Sequence, residues 1–287
     1  MNIVFEVSGG IGKNIAATVI VELIKKKYPN SNLTVLASNT EIFQFIPYID
    51  ELDNIKNRQF YIDKGHDYDK VMVLDPYHHS DMITKKKHLI EVWASLYDLD
   101  YNDEKPNLYL PDEVYAECQA FEEFEKKRPI MVLHPNGGTE TELYNYNWSR
   151  DIPANIVNKI VEKYKDEYDI YHVKGPNQRI SYDNTIVADG DMISIVKLLL
   201  KSDKRIFIDS FAQHMATALN LPSTVCWVTT SPNEFGYKLH NNIIRNEYEV
   251  ALPYTCYEGF SLIEPLINMP YRSTDRIFNE KQILNNI

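Results

Sequence analysis

Short apolar runs alternate with longer stretches of helical spacing along most of the chain. Residues 3–7 read as a buried strand, and residues 15–27 follow with Ile15, Val19, Ile20, Leu23 and Ile24 close to helical spacing. Tyr28-Pro29-Asn30 stops that helix. Further strands are predicted at 32–37, at 53–55 as a short edge strand, and at 70–74, with helices at 41–46, 88–97 and 112–127. Arg128-Pro129 breaks the pattern, and the alternation then restarts. Strands are predicted at 130–133, 170–173, 205–208 and 224–228, and helices at 152–164, 192–200, 211–219 and 279–286. Strand–helix alternation of this kind builds α/β units, parallel sheets with helices on both faces. The break at Arg128 separates residues 1–128 from 129–260, with a tail over 261–287. Two such units leave a cleft between them, a common place for a site.

The turn after the first strand carries the strongest local signal. Ser8, Gly9, Gly10, Ile11 and Gly12 lead into Lys13 and a helix. Glycine permits positive φ and a close approach to a ligand, and a helix start offers unpaired N–H groups and partial positive charge. At the carboxyl end of a strand such a loop faces a ligand crevice and suits an anion. A nucleotide phosphate loop requires Gly where Val7 stands and Ser or Thr where Asn14 stands. A dinucleotide fingerprint requires Gly where Ile15 stands. A plain βα turn also uses glycine, but three glycines and a lysine exceed what a turn needs.

Three strand ends in the second half carry polar groups. The first is His134-Pro135-Asn136-Gly137-Gly138-Thr139, with Trp148 downstream as a stacking face or a core anchor. The second is Lys174-Gly175, which adds a cation. The third is Asp209-Ser210, followed by Phe211, Ala212, Gln213 and His214 on the first turn of a helix. Asp209 or Ser210 reads as its cap, and the helix start suits a diphosphate. Each element alone also reads as ordinary capping or turn chemistry. Together they aim polar groups at one crevice.

The chain resembles the ADP-heptose:lipopolysaccharide heptosyltransferases, glycosyltransferase family 9. The resemblance rests on Gly9-Gly10-Ile11-Gly12 with Lys27-Tyr28-Pro29, on His134-Pro135-Asn136-Gly137-Gly138 with Asn147-Trp148, and on residues 209–222. The last stretch is similar to the family's Asp-(Ser/Thr)-Gly-x-x-His-x-Ala-x-Ala-x-x-x-Pro. The resemblance implies the GT-B fold, two Rossmann-like domains facing a central cleft, with the tail crossing back to the first. It implies a donor site in the second domain formed by the residues named above. An acceptor would lie over Ser8–Gly12, with metal-independent, inverting transfer from a nucleoside-diphosphate sugar and no separate cofactor. The sequence departs from the family where Lys13 replaces the Asp usual after the loop glycine, where Asn147 replaces a Lys, and where Phe211 replaces a Gly. A lysine beside a helix N-terminus can contact phosphate but is a poor base. The proton then falls to another group, and the candidates are Asp75 at the end of the 70–74 strand, His78 and His79. Two alternatives stay open: a viral-type transferase acting on hydroxymethylated pyrimidines in DNA, and a nucleotide-sugar-binding protein without catalysis.

Charge bears on the acceptor. The 287 residues carry a net charge of −11. Residues 1–128 hold 15 basic and 22 acidic side chains, and the rest 15 and 19, so neither half is a basic nucleic-acid footprint. DNA is therefore disfavoured against a glycan or other hydroxyl acceptor. Lys85-Lys86-Lys87 is a local patch that reads as a solvated face. No apolar run nears the ~20 residues of a membrane span, and no secretory pattern opens the chain. Three widely spaced cysteines fit a reducing compartment, so a cytoplasmic protein is expected. No metal motif is expected, because the Asp189-Gly190-Asp191 spacing falls in a turn. Tyr254, Tyr257, Phe260 and Tyr271 are placed along the cleft or in the tail crossing.

Overall fold

A computed structural model describes residues 1–84, 87–137, 150–175, 178, 180–246 and 276–286. The first half runs β1 (Asn2–Val7), α1 (Ile11–Lys27), β2 (Asn32–Ala37), β3 (Glu51–Asn54), α2 (Arg58–Asp63), β4 (Lys70–Met72), α3 (Ser80–Ile83), α4 (Leu89–Ser95) and α5 (Asp112–Ala120). The second half runs β5 (Ile130–His134), α6 (Ala154–Tyr164), β6 (Asp169–Val173), β7 (Ile186–Ala188), α7 (Met192–Lys201), β8 (Lys204–Ile208), α8 (Phe211–Ala218), β9 (Thr224–Trp227), α9 (Pro232–Phe235), β10 (Asn241–Ile244) and α10 (Glu280–Asn286).

The strands form two parallel sheets, ordered β3-β2-β1-β4 and β10-β9-β8-β5-β6-β7. Each order reverses direction once, at β1/β4 in the first sheet and at β5/β8 in the second. Open α/β sheets bind ligands outside the carboxyl ends of strands at this reversal. The glycine turn and Asp75 follow β1 and β4. The His134 loop and Asp209-Ser210 follow β5 and β8. All four motifs therefore sit at the two reversals.

The sheets share one buried core. Phe5, Ile15, Val19 and Trp93 from the first half cluster with Val196, Phe207, Met215 and Trp227 from the second. Helix α1 lies between the sheets, so it is buried on most of its surface, from Lys13 to Ile24. This explains why it starts at Ile11 rather than at residue 15. Gly12 and Asn14 have low helix propensity, but packing against the second half holds them helical. A second core joins Ile156, Ile160 and Ile206 to Ile277, Phe278 and Ile283.

Of the tail expected to cross back, only residues 276–286 are described. Residues 276–286 pack on the second half, where Lys163 donates to the Leu284 carbonyl. The tail residues 247–275, including Tyr254, Tyr257, Phe260 and Tyr271, lie outside the described residues, as do Lys85 and Lys86. Helix α2 and strands β7 and β10 were not foreseen. They are short, and Asn241-Asn242 and the exposed Ile186-Val187 lack a strand-like pattern. The 112–127 helix ends earlier, in a π turn over Phe121–Glu125. Among the described residues no helix is long and apolar enough to cross a membrane.

Candidate functional site

The three glycines of the first turn have three different reasons to be glycine. Gly9 has φ of 101°, a left-handed conformation that side chains resist. Gly10 is extended at the helix start and open to solvent, with no side-chain cap. Gly12 marks a close approach. A Cβ there would lie 2.7 Å from His214 Cδ2 and 3.4 Å from Phe211 Cα, so the first turns of α1 and α8 touch. Asn14, fully buried, fixes the loop from beneath. Its amide donates to the carbonyls of Gly9 (3.2 Å) and Gly10 (3.0 Å) and to Ser38 Oγ (3.0 Å). Ser38 Oγ in turn donates to the Gly9 carbonyl at 2.7 Å. The residue that fails the phosphate-loop pattern is thus the loop's structural anchor.

Lys13 points away from solvent. Its Nζ lies 2.5 Å from Asp75 Oδ2, over the rings of Tyr77 (5.0 Å) and Trp93 (5.4 Å). Asp75 is 31% exposed and accepts at Oδ1 from the Tyr77 N–H, 3.0 Å away. Glu6, the penultimate residue of β1, pairs with Arg58 at 2.9 Å, and burial pushes its carboxyl up despite the cations of Arg58 and Lys13. His78 is exposed. His79 accepts from the Asp81 N–H at Nδ1 (3.2 Å) and so caps α3.

The wall opposite is built from buried groups. Ser210 stands at the cap position of α8, but its side chain makes no capping bond, which corrects that reading. The Gln213 N–H donates to the Ser210 carbonyl (3.2 Å), which leaves the Phe211 and Ala212 N–H groups at the helix start for a ligand. Asp209 is buried, burial raises its carboxyl and Arg150 opposes the shift, and its Oδ2 has no hydrogen bond among the described residues.

His214 is held on both sides of its ring. Nδ1 lies 2.8 Å from the Tyr237 hydroxyl, and Nε2 lies 3.0 Å from the Gln213 amide nitrogen. The amide donates, so Nε2 accepts and Nδ1–H donates to Tyr237. Burial and the neighbouring His88 and His240 push its pKa down to about 3. His214 is thus a neutral positioning group and carries no charge to offset that of a leaving group. His88 of the first half stacks edge-on against Tyr237 at 5.5 Å and completes this seam between the halves.

The loop after β5 is pinned by residues that local motifs did not reveal. Asp151 accepts from Asn136 Nδ2 (3.1 Å) and from the Gly137 N–H (2.9 Å). Tyr182 donates to Asn136 Oδ1 (3.0 Å), and Gln178 Nε2 donates to the Asn136 carbonyl (3.3 Å). The Gly137 N–H is therefore used internally. A Cβ at Gly137 would lie 2.8 Å from Ile208 Cδ1 and 3.8 Å from Ser210 Oγ, so this loop abuts the start of α8. The buried His134 ring packs 4.9 Å from Phe211, with its pKa lowered to about 3 by burial and by His172. Gly175 N–H donates to Gln178 Oε1 (3.0 Å), and Lys174 Nζ to Ser181 Oγ (3.2 Å). Ala212 and Gln213 are buried on α8. Gly138, Thr139 and Trp148 lie outside the described residues. No cluster of three metal-ligating side chains occurs among the described residues.

No family model matches the chain, and no curated protein matches it in sequence. Solved structures share its fold. A family 9 glycosyltransferase from Veillonella parvula is 15% identical and aligns over 99% of this chain and 95% of its own, with a TM-score of 0.65. Escherichia coli ADP-heptose lps heptosyltransferase II is 13% identical over 99% of this chain and 97% of its own, with a TM-score of 0.68. Escherichia coli heptosyltransferase WaaC, solved with ADP, is 11% identical over 86% of this chain and 94% of its own, with a TM-score of 0.57. The chain has the fold of these glycosyltransferases, two Rossmann-like halves of the GT-B kind.

Proposed function

We propose that the protein is a glycosyltransferase that moves a sugar from a nucleoside diphosphate to an acceptor hydroxyl. One observation carries this reading: the ligand-binding ends of two parallel sheets face each other, and the starts of α1 and α8 meet at Gly12 and His214. The uncapped start of α8 receives the diphosphate on its N–H groups. Asp209 and the His134–Gly137 loop shape the rest of the donor pocket. The acceptor lies on the opposite wall, over the Gly9–Gly12 turn. An acceptor oxygen arriving from that side reaches the anomeric carbon from the face opposite the leaving diphosphate, which gives a single displacement with inversion. The α8 N-terminus and Lys174 offset the leaving charge without a metal. The structural neighbours solved with ADP and described as ADP-heptose heptosyltransferases favour an adenine-nucleotide sugar and a glycan acceptor.

The test is a thermal-shift panel of ADP-, UDP- and GDP-sugars, with and without magnesium, followed by measurement of nucleoside diphosphate release. The reading expects a selective, magnesium-independent shift with one donor, and release of its nucleoside diphosphate. A shift only with ATP or GTP and magnesium would make the Gly9–Lys13 turn a phosphate loop and overturn it.

A further inference from the structure

The geometry assigns Asp75 as the group that takes the proton from the acceptor hydroxyl, and Lys13 as the residue that positions it. This inference rests on the transfer reading above. A base for that step must be reachable from the cleft and fixed in direction. The described candidates near the crevice can be compared on those terms. His214 and His88 are buried, with pKa values pushed down to about 3 and about 4, and both rings face the seam between the halves. Asp209 is buried on the donor wall. Glu6 is only 11% exposed, against 31% for Asp75, and so is not reachable from the cleft. His79 is engaged as a helix cap, and His78 is exposed with no side-chain partner among the described residues to orient it.

Asp75 meets both terms. It stands at the reversal point of the first sheet, after β4, and is 31% exposed. Each oxygen has a fixed neighbour: Oδ1 takes the Tyr77 N–H and Oδ2 takes Lys13 Nζ. The ammonium is itself walled in by Tyr77 and Trp93, so it cannot swing toward solvent. Lys13 adjoins Gly12, which touches the donor-side helix, and the Tyr77 ring lies 6.2 Å from Phe235 of the second half. The carboxylate is therefore tied to the place where the halves meet. In the step, the acceptor O–H proton passes to Asp75 as the oxygen bonds to the anomeric carbon. The anomeric C–O bond to the diphosphate breaks, and the diphosphate leaves with that electron pair. Asp75 then returns its proton to water.

The experiment measures nucleoside diphosphate release from the donor that shifts the wild-type protein in the ADP-, UDP- and GDP-sugar panel, alongside donor Kd. Asp75→Asn keeps the shape of the side chain, and its release rate is expected to fall about 100-fold or more with donor Kd unchanged. In Asp75→Ala, added formate is expected to restore part of the rate, which a purely structural residue would not allow. Lys13→Arg is expected to keep most of the rate, while Lys13→Met loses about 10-fold at unchanged donor Kd. Asp75→Asn within threefold of wild type, no formate rescue, or a greater loss in His78→Ala than in Asp75→Asn would overturn the assignment while leaving the transfer reading intact. A wild-type protein that binds no donor and releases nothing would instead overturn the transfer reading itself.

Discussion

The two walls of the crevice solve different problems with different chemistry. The first-half wall carries formal charges held in ion pairs, Lys13–Asp75 and Glu6–Arg58, of which Asp75 and Arg58 reach the surface. The second-half wall carries polar groups that burial keeps neutral or raises, namely His134, His214 and Asp209. A wall of oriented dipoles whose cations are Arg150 and Lys174 suits an anionic ligand. A wall with a part-exposed carboxylate can exchange a proton. On the proposed transfer reading, binding belongs to the second half and proton transfer to the first.

The largest expected effect comes from forcing the walls apart. Gly12→Val places atoms where His214 and Phe211 already sit, and both are fixed by packing. Overpacking of this kind costs ~1–3 kcal/mol, and a chain of this size loses a few degrees of Tm per kcal/mol. Donor affinity is expected to fall with it, because the α8 start moves. Gly10→Ala is the control, since no atom lies within 4 Å of a Cβ there. Calorimetry and donor titration on both variants check this.

Next in size is the donor wall itself. Asp209→Ala is expected to raise donor Kd by about 10-fold, or ~1.4 kcal/mol. Its Tm should change less than that of Gly12→Val, because the truncation removes a buried carboxyl, with its Thr230 and Arg150 interactions, without forcing atoms together.

The seam between the halves also responds to pH. His88, His214 and His240 have folded-state pKa values pushed down to about 4, about 3 and about 4, from an ordinary value near 6.5. The unfolded chain therefore binds protons that the folded one refuses. Stability is expected to fall as pH drops from about 6.5 towards 4, and to level off above 6.5. His88→Asn keeps a capping side chain for α4 and removes one titrating ring. The slope of Tm against pH between 6.5 and 4 should become shallower in that variant. The smallest effect is Gly10→Ser, which supplies the missing cap of α1 and is expected to add a few tenths of a kcal/mol by denaturant titration.

Much of the architecture was legible because strand–helix alternation reports on burial. The runs at 3–7, 130–133 and 205–208 are buried central strands, and buried parallel strands read as continuous apolar runs. Strands β7 and β10 lie at the sheet edges, where one face meets water, and their apolar signal fades. The glycine turn and residues 209–214 could be located because strand ends and helix starts have local chemistry. Asn14, Asp151, Tyr182 and Tyr237 could not be found in this way. Asp151, Tyr182 and Tyr237 bond partners distant in sequence, as with Tyr182 on Asn136 and Tyr237 on His214, and Asn14 ties its own loop to Ser38 on the next strand end. Nor did the sequence disclose that Lys13 faces Asp75 across 62 positions, since only the pairing of β1 with β4 brings them together.

The most direct test of the division between the walls is a pair of donor titrations. Nucleoside-diphosphate-sugar binding is measured by calorimetry for Asp209→Ala and for Asp75→Asn beside the wild type. The account predicts weakened binding in Asp209→Ala and unchanged binding in Asp75→Asn. Equal loss in both, or loss only in Asp75→Asn, would place the donor on the first-half wall and contradict it.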